Sequence, residues 1–266
     1  MHKPKVVVLR GAGTNCDYET KCAFEYAGAE AELVHINEFT KLRKSLANYH
    51  ILAIPGGFTY GDDIAAGKIL ANELKYKLNA ELQKFITDGK LIIGICNGFQ
   101  ILVKSSLLPD LQIQEQSTTL TSNDSGKFED RWVYLRPPSF DLRKAKCVWT
   151  KGIAHIIYLP VAHGEGKFVA ANKKVLRQLK NNSQIVFQYC SQKGKLDGYP
   201  VNPNGSQDNI AGICDKTGRI FGLMPHPERH ILREHHPHWT RIKDNKKEGD
   251  GLSIFRNGVQ YAKKNL

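Results

Sequence analysis

The sequence contains no hydrophobic run that could cross a bilayer, no Cys-x-x-Cys pair and no Walker-type phosphate loop. A transmembrane helix needs about 20 apolar residues in succession, so no membrane span is predicted. Structural zinc sites and redox motifs use closely spaced cysteines, whereas the six cysteines of this chain are scattered. We therefore expect no metal site, and no nucleotide bound by this chain through a P-loop.

Acidic residues are the scarcer charged class, with 26 Asp and Glu against 38 Lys and Arg and a net charge of +12. Such a balance can indicate nucleic-acid binding. The basic residues are dispersed, however, and no RNA-binding consensus or zinc-finger spacing accompanies them. We expect a solvated basic surface, with neither nucleic acid nor a membrane as partner. An acidic partner protein or a phosphorylated substrate held nearby would also fit the charge.

No export signal is expected, because the sequence passes from Met1 to Lys5 directly into a predicted strand. Cysteines in a chain without such a signal are expected to be free thiols. We therefore predict a cytoplasmic protein with reduced cysteines.

Apolar strands alternate with helical stretches through the first hundred residues. A helix is predicted to begin near Asp17 and to be stopped by Gly28, and a longer one runs from about Lys68 to Asp88. Strands that are apolar almost throughout are typical of a parallel sheet covered by helices on both faces. The sequence therefore predicts an α/β fold. Its first strands are placed at residues 5–9, 32–36, 50–54 and 91–93.

The second half of the sequence is less regular. A short strand at residues 156–159 is predicted to end at Pro160. The His-His-Pro-His stretch at 235–238 invites a metal interpretation, but no carboxylate or cysteine stands at a fixed spacing from it. We expect these histidines to be exposed to solvent. Other strands are predicted at residues 118–120, 132–135, 185–189, 210–214 and 220–224.

A cysteine stands in the turn at residues 94–98, Gly-Ile-Cys-Asn-Gly, between an apolar strand and a stretch with helical spacing. This pattern is the cysteine counterpart of the Gly-x-Ser-x-Gly nucleophile elbow. The glycines leave room for a sharp turn in which the nucleophile adopts a strained backbone conformation. The N–H groups of the following helix favour the thiolate. The alternative is a buried structural cysteine in a glycine-containing turn.

The base that such a thiolate needs is offered by His226-Pro227-Glu228, at the end of the last predicted strand. Residues i and i+2 of an extended segment lie on the same side, and the flanking prolines keep the segment extended. Since the carboxyl ends of parallel strands meet at one edge of the sheet, Cys96 and His226 are predicted to lie together. The alternative is a surface histidine beside a solvated glutamate.

Paired glycines, Gly56 and Gly57, follow the third predicted strand. Glycines at the carboxyl end of a buried strand let backbone N–H groups approach a ligand closely. The alternative is a tight connection that touches no ligand.

Together these stretches resemble the class I, triad-type glutamine amidotransferases. Further stretches narrow the resemblance to the glutaminase subunit of phosphoribosylformylglycinamidine synthase, an enzyme of purine biosynthesis. Each stretch is moderately specific, and their joint presence in this order is highly specific. The resemblance implies a flavodoxin-like three-layer α/β/α fold with a mostly parallel sheet, as a single domain over residues 1–266 with a peripheral C-terminal extension from about residue 230. The matching stretches lie at residues 13–17, 56–62, 96–100, 162–166, 199–214 and 224–229.

The resemblance implies a role for each residue of the catalytic set. Cys96 matches the nucleophile that attacks the side-chain amide of glutamine. His226 matches the base and acid that protonates the departing ammonia and then activates water. Glu228 matches the group that orients His226 and stabilises its charged form.

The resemblance also implies four substrate-binding residues. Backbone N–H groups of Gly57 and Asn97 match the oxyanion hole, and Gln100 and His163 match residues that help to seat glutamine. Cys16 lies in a matching stretch but has no paired base in the sequence, so we expect it to be structural or interfacial.

By this resemblance the chain hydrolyses L-glutamine to L-glutamate and supplies ammonia to a separate synthetase subunit, in a complex with a small bridging subunit. ATP and Mg²⁺ are expected on the synthetase, which converts formylglycinamide ribonucleotide to formylglycinamidine ribonucleotide, and no cofactor is expected in this chain. Two alternatives stay open: a glutaminase that serves another synthetase, and a catalytically silent subunit that regulates a partner.

Overall fold

The computed structural model describes residues 3–62, 65–111, 116–141, 145–242 and 247–266. The strands in these ranges are β1 (Lys5–Arg10), β2 (Glu30–His35), β3 (Ile51–Ile54), β4 (Leu91–Ile95), β5 (Thr118–Thr121), β6 (Glu129–Arg136), β7 (Ile157–His163), β8 (Lys167–Ala170), β9 (Ile185–Cys190), β10 (Ile210–Cys214) and β11 (Ile220–Leu223). The α-helices are α1 (Asp17–Tyr26), α2 (Ile36–Thr40), α3 (Lys68–Lys77), α4 (Asn79–Thr87), α5 (Asn97–Lys104), α6 (Lys173–Asn181) and α7 (Leu252–Asn265).

In the described part of the chain, nine strands form one mixed sheet in the order β2-β1-β3-β4-β11-β10-β9-β6-β7. The strands from β2 to β11 run parallel to one another, and those from β11 to β7 are antiparallel. A separate pair, β5 with β8, is also antiparallel. The predicted α/β fold is confirmed, and the parallel half carries the cysteine turn.

Helices cover the parallel half, and its central strands are apolar throughout. Every residue of β3, β4 and β11 is buried. On one face, the ring of Phe24 in α1 packs edge-on against Phe255 in α7 and Trp149, with centroids 5.0 and 6.3 Å away. Helices α3 and α5 pack against each other, and α5 lies against β3 and β4. The strand ends that carry the predicted site residues are therefore held in fixed positions.

Among the predicted element boundaries that differ from the structure, two have a clear physical cause. The helix predicted over 68–88 is two helices, α3 and α4, separated at Leu78 (φ −114°, ψ 9°). Leu74, Leu78 and Leu82 are all buried, so the apolar periodicity continues across the break and does not reveal it. The strand predicted to end at Pro160 runs on to His163. Because β7 is the last strand of the sheet, proline is tolerated where its missing N–H faces no neighbouring strand.

The residues after 230 end in α7, where Ile254, Phe255 and Val259 are fully buried. Whether residues from about 230 form a distinct peripheral extension stays a prediction. His236 departs from the expectation of solvent exposure, since its ring centroid lies 5.2 Å from that of Tyr158 and the residue is half-buried. None of the helices in the described ranges combines the length and the apolarity that crossing a bilayer requires.

Candidate active site

The turn between β4 and α5 has the sharp geometry predicted from its glycines. Cys96 adopts φ 51° and ψ −106°, in a region that residues with a side chain rarely occupy. A Cβ at Gly98 would lie 1.9 Å from the carbonyl oxygen of Ile54, and one at Gly94 would lie 2.5 Å from that of Gly98. Both contacts are with backbone atoms, so only glycine fits at either position.

The cysteine is held from two sides. Its backbone N–H donates to the carbonyl of Leu223 in β11 at 2.8 Å, and its Sγ lies 3.7 Å from the carbonyl oxygen of Ala162 in β7. The residue is 6% exposed, and α5 begins immediately after it. The thiol therefore stands at the N-terminal end of a helix, where the peptide dipoles favour a negative charge.

His226 and Glu228 form a buried pair. The imidazole Nδ1 lies 2.6 Å from Oε1 of Glu228, and both residues are 2% exposed. The segment is not extended as predicted, because residues 227–229 form a 3₁₀ turn with Pro227 in its first position. Proline is pre-organised for the first turn of a helix, so the two side chains meet across a turn instead of along a strand.

The charge state of His226 follows from its neighbours. Burial lowers the pKa of the imidazole, but the carboxylate of Glu228 and the sulfur of Cys96 raise it, and the net result lies well above the usual value. The ring Nε2 is buried and makes no hydrogen bond to any described residue at standard distance and angle. A charged imidazole with a free Nε2–H can donate a proton to a leaving group.

The fold brings Cys96 and His226 to one place, as expected. Ile95 and Leu223, which precede the two segments, are register partners of parallel neighbouring strands. A Cβ at Gly56 would lie 2.8 Å from Cε1 of His226 and 3.3 Å from Cβ of Cys96. The two side chains therefore both lie next to Gly56, and a residue larger than glycine there would press on both.

The Gly56-Gly57 segment is tied to the turn that follows β1. Phe58 N–H donates to the carbonyl of Gly13 at 3.0 Å, and Thr14 and Gly57 form an isolated antiparallel bridge. Gly57 has φ 139°, and a Cβ on it would lie 2.7 Å from the backbone nitrogen of Asn15. This pairing positions the segment on which the oxyanion-hole prediction depends.

Asn97, the other predicted oxyanion donor, is linked by its side chain to the residues that follow Gly57. Its Oδ1 accepts from the Thr59 N–H at 3.4 Å, and its Nδ2 donates to Oε1 of Gln100 at 3.0 Å. The two predicted N–H donors, on Gly57 and Asn97, thus stand on segments that are joined to each other. Their binding of an oxyanion stays a prediction.

Gln100 and His163 are both buried and support the wall of the site. Gln100 Nε2 donates to the carbonyl of Glu165 at 2.6 Å, which joins α5 to the segment after β7. His163 Nδ1 lies 3.2 Å from Oδ1 of Asn123. Burial, followed by the charge of His226, lowers the pKa of His163 to about 3, so the ring is neutral at physiological pH. Direct contact of either residue with glutamine stays a prediction.

Cys16 lies closer to the catalytic histidine than its position in the sequence indicates. Its Sγ lies 3.2 Å from the Cβ position of Gly56, which is itself 2.8 Å from Cε1 of His226, and the residue is buried, so the expected structural role stays a prediction. Arg229, to which no role was given, donates from Nη2 to this sulfur at 3.1 Å. The position of Cys16 could have been predicted from the pairing of β1 with β3, because the turns that follow neighbouring parallel strands meet at the same edge.

Donor atoms of Cys16, His226 and Glu228 lie within 4.8 Å of one another, which is close enough for a metal site. The pairing of His226 with Glu228 already occupies two of these groups. The guanidinium of Arg229 beside the sulfur opposes a second cation. The arrangement suits proton transfer and thiol chemistry better than metal binding.

Comparison with known proteins agrees with this geometry. Residues 3–262 match the CobB/CobQ-like glutamine amidotransferase domain. The chain is 49% identical to the phosphoribosylformylglycinamidine synthase subunit PurQ of Dehalococcoides mccartyi, over 99% of each chain. It is 46% identical to the subunit of the same name from Methanococcus maripaludis, over 98% of each.

The chain belongs to the PurQ family of glutamine amidotransferases. A solved structure supports the same family, since the PurLQS structure from Thermotoga maritima contains a chain that is 32% identical to this one. The two superpose with a TM-score of 0.72 over 97% of this chain and 99% of that one. PurQ membership therefore rests on the whole length of the sequence, including the stretches outside the cysteine turn.

Proposed function

We propose that this chain is the glutaminase subunit of phosphoribosylformylglycinamidine synthase. It hydrolyses L-glutamine to L-glutamate and passes the ammonia to a synthetase subunit, which uses it to convert formylglycinamide ribonucleotide to formylglycinamidine ribonucleotide. The observation that carries the proposal is the buried set of Cys96, His226 and Glu228, with the cysteine at a strained turn and the histidine charged and aimed by a carboxylate.

The first half of the reaction releases ammonia. The thiolate of Cys96 attacks the side-chain amide carbon of glutamine, and the carbonyl electrons move to oxygen. When the C–N bond breaks, Nε2–H of His226 gives its proton to the departing nitrogen, which leaves as NH₃, and a glutamyl thioester remains on Cys96. Glu228 keeps the ring oriented and stabilises its positive charge before the transfer.

The second half regenerates the thiolate. His226, now neutral, takes a proton from a water molecule that attacks the thioester carbon. The C–S bond breaks, glutamate leaves, and the imidazole is again charged beside the Cys96 thiolate. Each tetrahedral intermediate carries a negative oxygen, and the N–H groups of Gly57 and Asn97 are the proposed donors to it. Such a donor contributes roughly 3 kcal/mol in related acyl-transfer chemistry.

Partners and location complete the proposal. The related chain from Thermotoga maritima was solved as part of PurLQS, and we propose that this chain likewise works with a synthetase subunit and a small bridging subunit. ATP and Mg²⁺ belong to the synthetase, and this chain carries no cofactor of its own. The free cysteines fit a reducing compartment, so the cytoplasm is the proposed location.

The two alternatives are less well supported. A silent regulatory subunit would have no need of a buried acid–base pair or of a cysteine in a strained conformation, and such features cost stability. Service to another synthetase is disfavoured because the full-length relatives at 49% and 46% identity carry the name of the same enzyme.

The active site is built so that a partner can influence it. Phe58, next to Gly57, is 48% exposed, and its ring lies 6.4 Å from that of Phe128. Neither glycine has a side chain to resist rotation, but the Gly56 carbonyl accepts from the Cys16 N–H at 3.2 Å. A subunit that covers Phe58 and displaces this hydrogen bond can therefore set the orientation of the Gly57 N–H. The net charge of +12 favours an acidic docking face and a salt-sensitive association.

The test measures glutamate production by this chain alone and then with the synthetase and bridging subunits and their nucleotide ligands. We expect slow turnover by the lone chain, a clear rise in the complex, and a weaker rise at high salt. Full turnover by the lone chain, unchanged by its partners, would show that coupling is absent. No glutamate under any condition would refute the glutaminase activity itself. Glutamate production without formylglycinamidine ribonucleotide would favour another synthetase.

A further inference from the structure

Cys16 is buried beside the acid–base pair and joined to the strand that precedes the oxyanion hole. It is 2% exposed, and its Sγ, a ring nitrogen of His226 and a carboxylate oxygen of Glu228 lie within 4.8 Å of one another. Its backbone N–H donates to the carbonyl of Gly56 at 3.2 Å. One residue outside the proposed catalytic set thus lies beside the base and is hydrogen-bonded to the glycine segment.

The hydrogen bonds of Cys16 define which side of the sulfur faces the histidine. The thiol donates to Oδ1 of Asn15 at 3.3 Å and accepts from Nη2 of Arg229 at 3.1 Å. Its single proton is therefore directed to Asn15, and only lone pairs are left for His226. Burial raises the pKa of the Cys16 thiol, which keeps it protonated and argues against its acting as a second nucleophile.

We infer that Cys16 is a positioning residue for His226: its sulfur, fixed by Arg229 and Asn15, lies beside the imidazole and keeps the ring next to Cys96. The inference rests on the proposed glutaminase function, since it assigns a role within that site. Cys16 does not contact the amide that reacts. Its effect passes through the ring of His226.

The charge of His226 depends on groups from several elements, of which Cys16 is one. Glu228, Cys96 and the Cys16 sulfur favour the charged imidazole, whereas burial opposes it. Removing the sulfur takes away one favourable contact, so the pKa of His226 should fall. The titratable groups that act on the ring are Cys16, Cys96, His163 and Glu228, and the charged Arg229 is bonded to the Cys16 sulfur.

The experiment compares Cys16→Ala and Cys16→Ser with Cys190→Ala. Cys190, in β9, is also 2% exposed, so its variant controls for the loss of a buried thiol. Activity is measured in the assembled complex as kcat and KM for glutamine across pH. The pKa of the His226 ring is measured separately, by NMR titration of the histidine-labelled free chain, and this readout does not depend on turnover.

We expect Cys16→Ala to lower kcat by about 10- to 100-fold, the effect of a misplaced catalytic group, with little change in KM. Charged His226 supplies the proton to ammonia, so a lower pKa moves the alkaline limb of the kcat profile to lower pH. Cys16→Ser, which keeps an acceptor for Arg229, should recover most of the activity. Cys190→Ala should match the wild type in all three measurements.

Identical kcat, alkaline limb and ring titration for Cys16→Ala and the wild type would overturn the inference. If Cys16→Ala does not fold, as judged by thermal melting, Cys16→Val and Cys16→Ser replace it. Valine fills the volume without an acceptor, and equal activity of the two would then refute the positioning role. If even the wild-type complex makes no glutamate, the proposed function fails, while the ring titration still decides whether Cys16 acts on His226.

Discussion

Nδ1 of His226 lies 2.6 Å from Oε1 of Glu228, in a pair whose side chains are 2% and 0% exposed. A hydrogen bond this short, between buried side chains, fixes the tautomer and the direction of the ring. Nε2 is therefore the atom that exchanges protons. It also places a carboxylate where it is costly to leave without a partner. The pair therefore has separate consequences for rate and for stability.

The two members of this pair should differ in their effect on rate. His226→Ala removes the proton donor, whereas Glu228→Gln leaves an imidazole that can still reach the thiol. In serine proteases, removing the orienting acid lowers activity less than removing the base does. By analogy, Glu228→Gln should keep roughly 10- to 100-fold more glutaminase activity than His226→Ala. Equal loss in two variants with wild-type melting curves would contradict the orienting role.

Cys96 should be the only thiol that forms the glutamyl intermediate. Cys96→Ser should lower glutamine-dependent synthesis by the complex by about 10³-fold or more, because a serine hydroxyl is not ionised by this site. Synthesis from added ammonium salt, which bypasses the glutaminase, should be unchanged and serves as the control. Labelling with a glutamine-analogue electrophile, read by peptide mass spectrometry, should mark Cys96. A label on another cysteine with Cys96 unmodified would refute the assignment.

His163 should make the protein sensitive to acid. Its pKa lies at about 3 in the folded chain against an ordinary value of 6.5, so the unfolded chain binds the proton more readily. The neutral ring therefore contributes stability that is fully present at pH values above the ordinary pKa. This stability is lost as the pH falls from there toward the pKa of the folded chain.

The free energy of unfolding of His163→Gln, measured with urea at several pH values, should therefore fall less steeply with decreasing pH than that of the wild type, between the two pKa values of His163. His235→Gln is the matched control, because His235 is exposed, and its slope should follow the wild type. Parallel slopes for all three chains would show that His163 is not the acid-sensitive group.

Gly98 should tolerate no side chain. A Cβ there would stand 1.9 Å from the carbonyl oxygen of Ile54, and β3 cannot retreat because it is buried between β1 and β4. We expect Gly98→Ala to destabilise the fold by about 3 kcal/mol or more, at the upper end of overpacking effects. Gly198→Ala, where a Cβ meets nothing within 4 Å, is the control. Thermal melting that does not distinguish the two variants would be inconsistent with this packing.

The sequence predicted the meeting of Cys96 and His226 because it depends on two local facts. Each residue follows a strongly apolar strand, and the ends of parallel strands share an edge. The need for glycine on both sides of Cys96 was also predictable from the sequence, and the close backbone contacts at Gly94 and Gly98 explain it. Features can be predicted from one sequence when the local preferences of the residues favour the same structure as the overall fold.

What the sequence did not reveal depends on contacts between distant segments. The Cys16 sulfur accepts a hydrogen bond from Arg229, which lies 213 positions later in the chain. Hydrophobic periodicity does not predict such a pair. Pro160 ends a strand in most settings, and its tolerance here follows from the strand order, which places β7 at the edge. The break at Leu78 lies where apolar spacing continues unchanged.

The position of β7 at the end of the sheet has a consequence for self-association. An unpaired strand edge is a template for joining another chain, yet the segments after β11 occupy this one. The N–H of Tyr158 donates to Oδ2 of Asp250 at 2.9 Å, its carbonyl accepts from Nδ1 of His230 at 2.7 Å, and the carbonyl of Pro160 accepts from the N–H of His226 at 2.8 Å. These residues cover the edge of β7 against pairing with another chain, and a chain shortened before Asp250 would lose the partner of the Tyr158 N–H while keeping the contacts from His226 and His230.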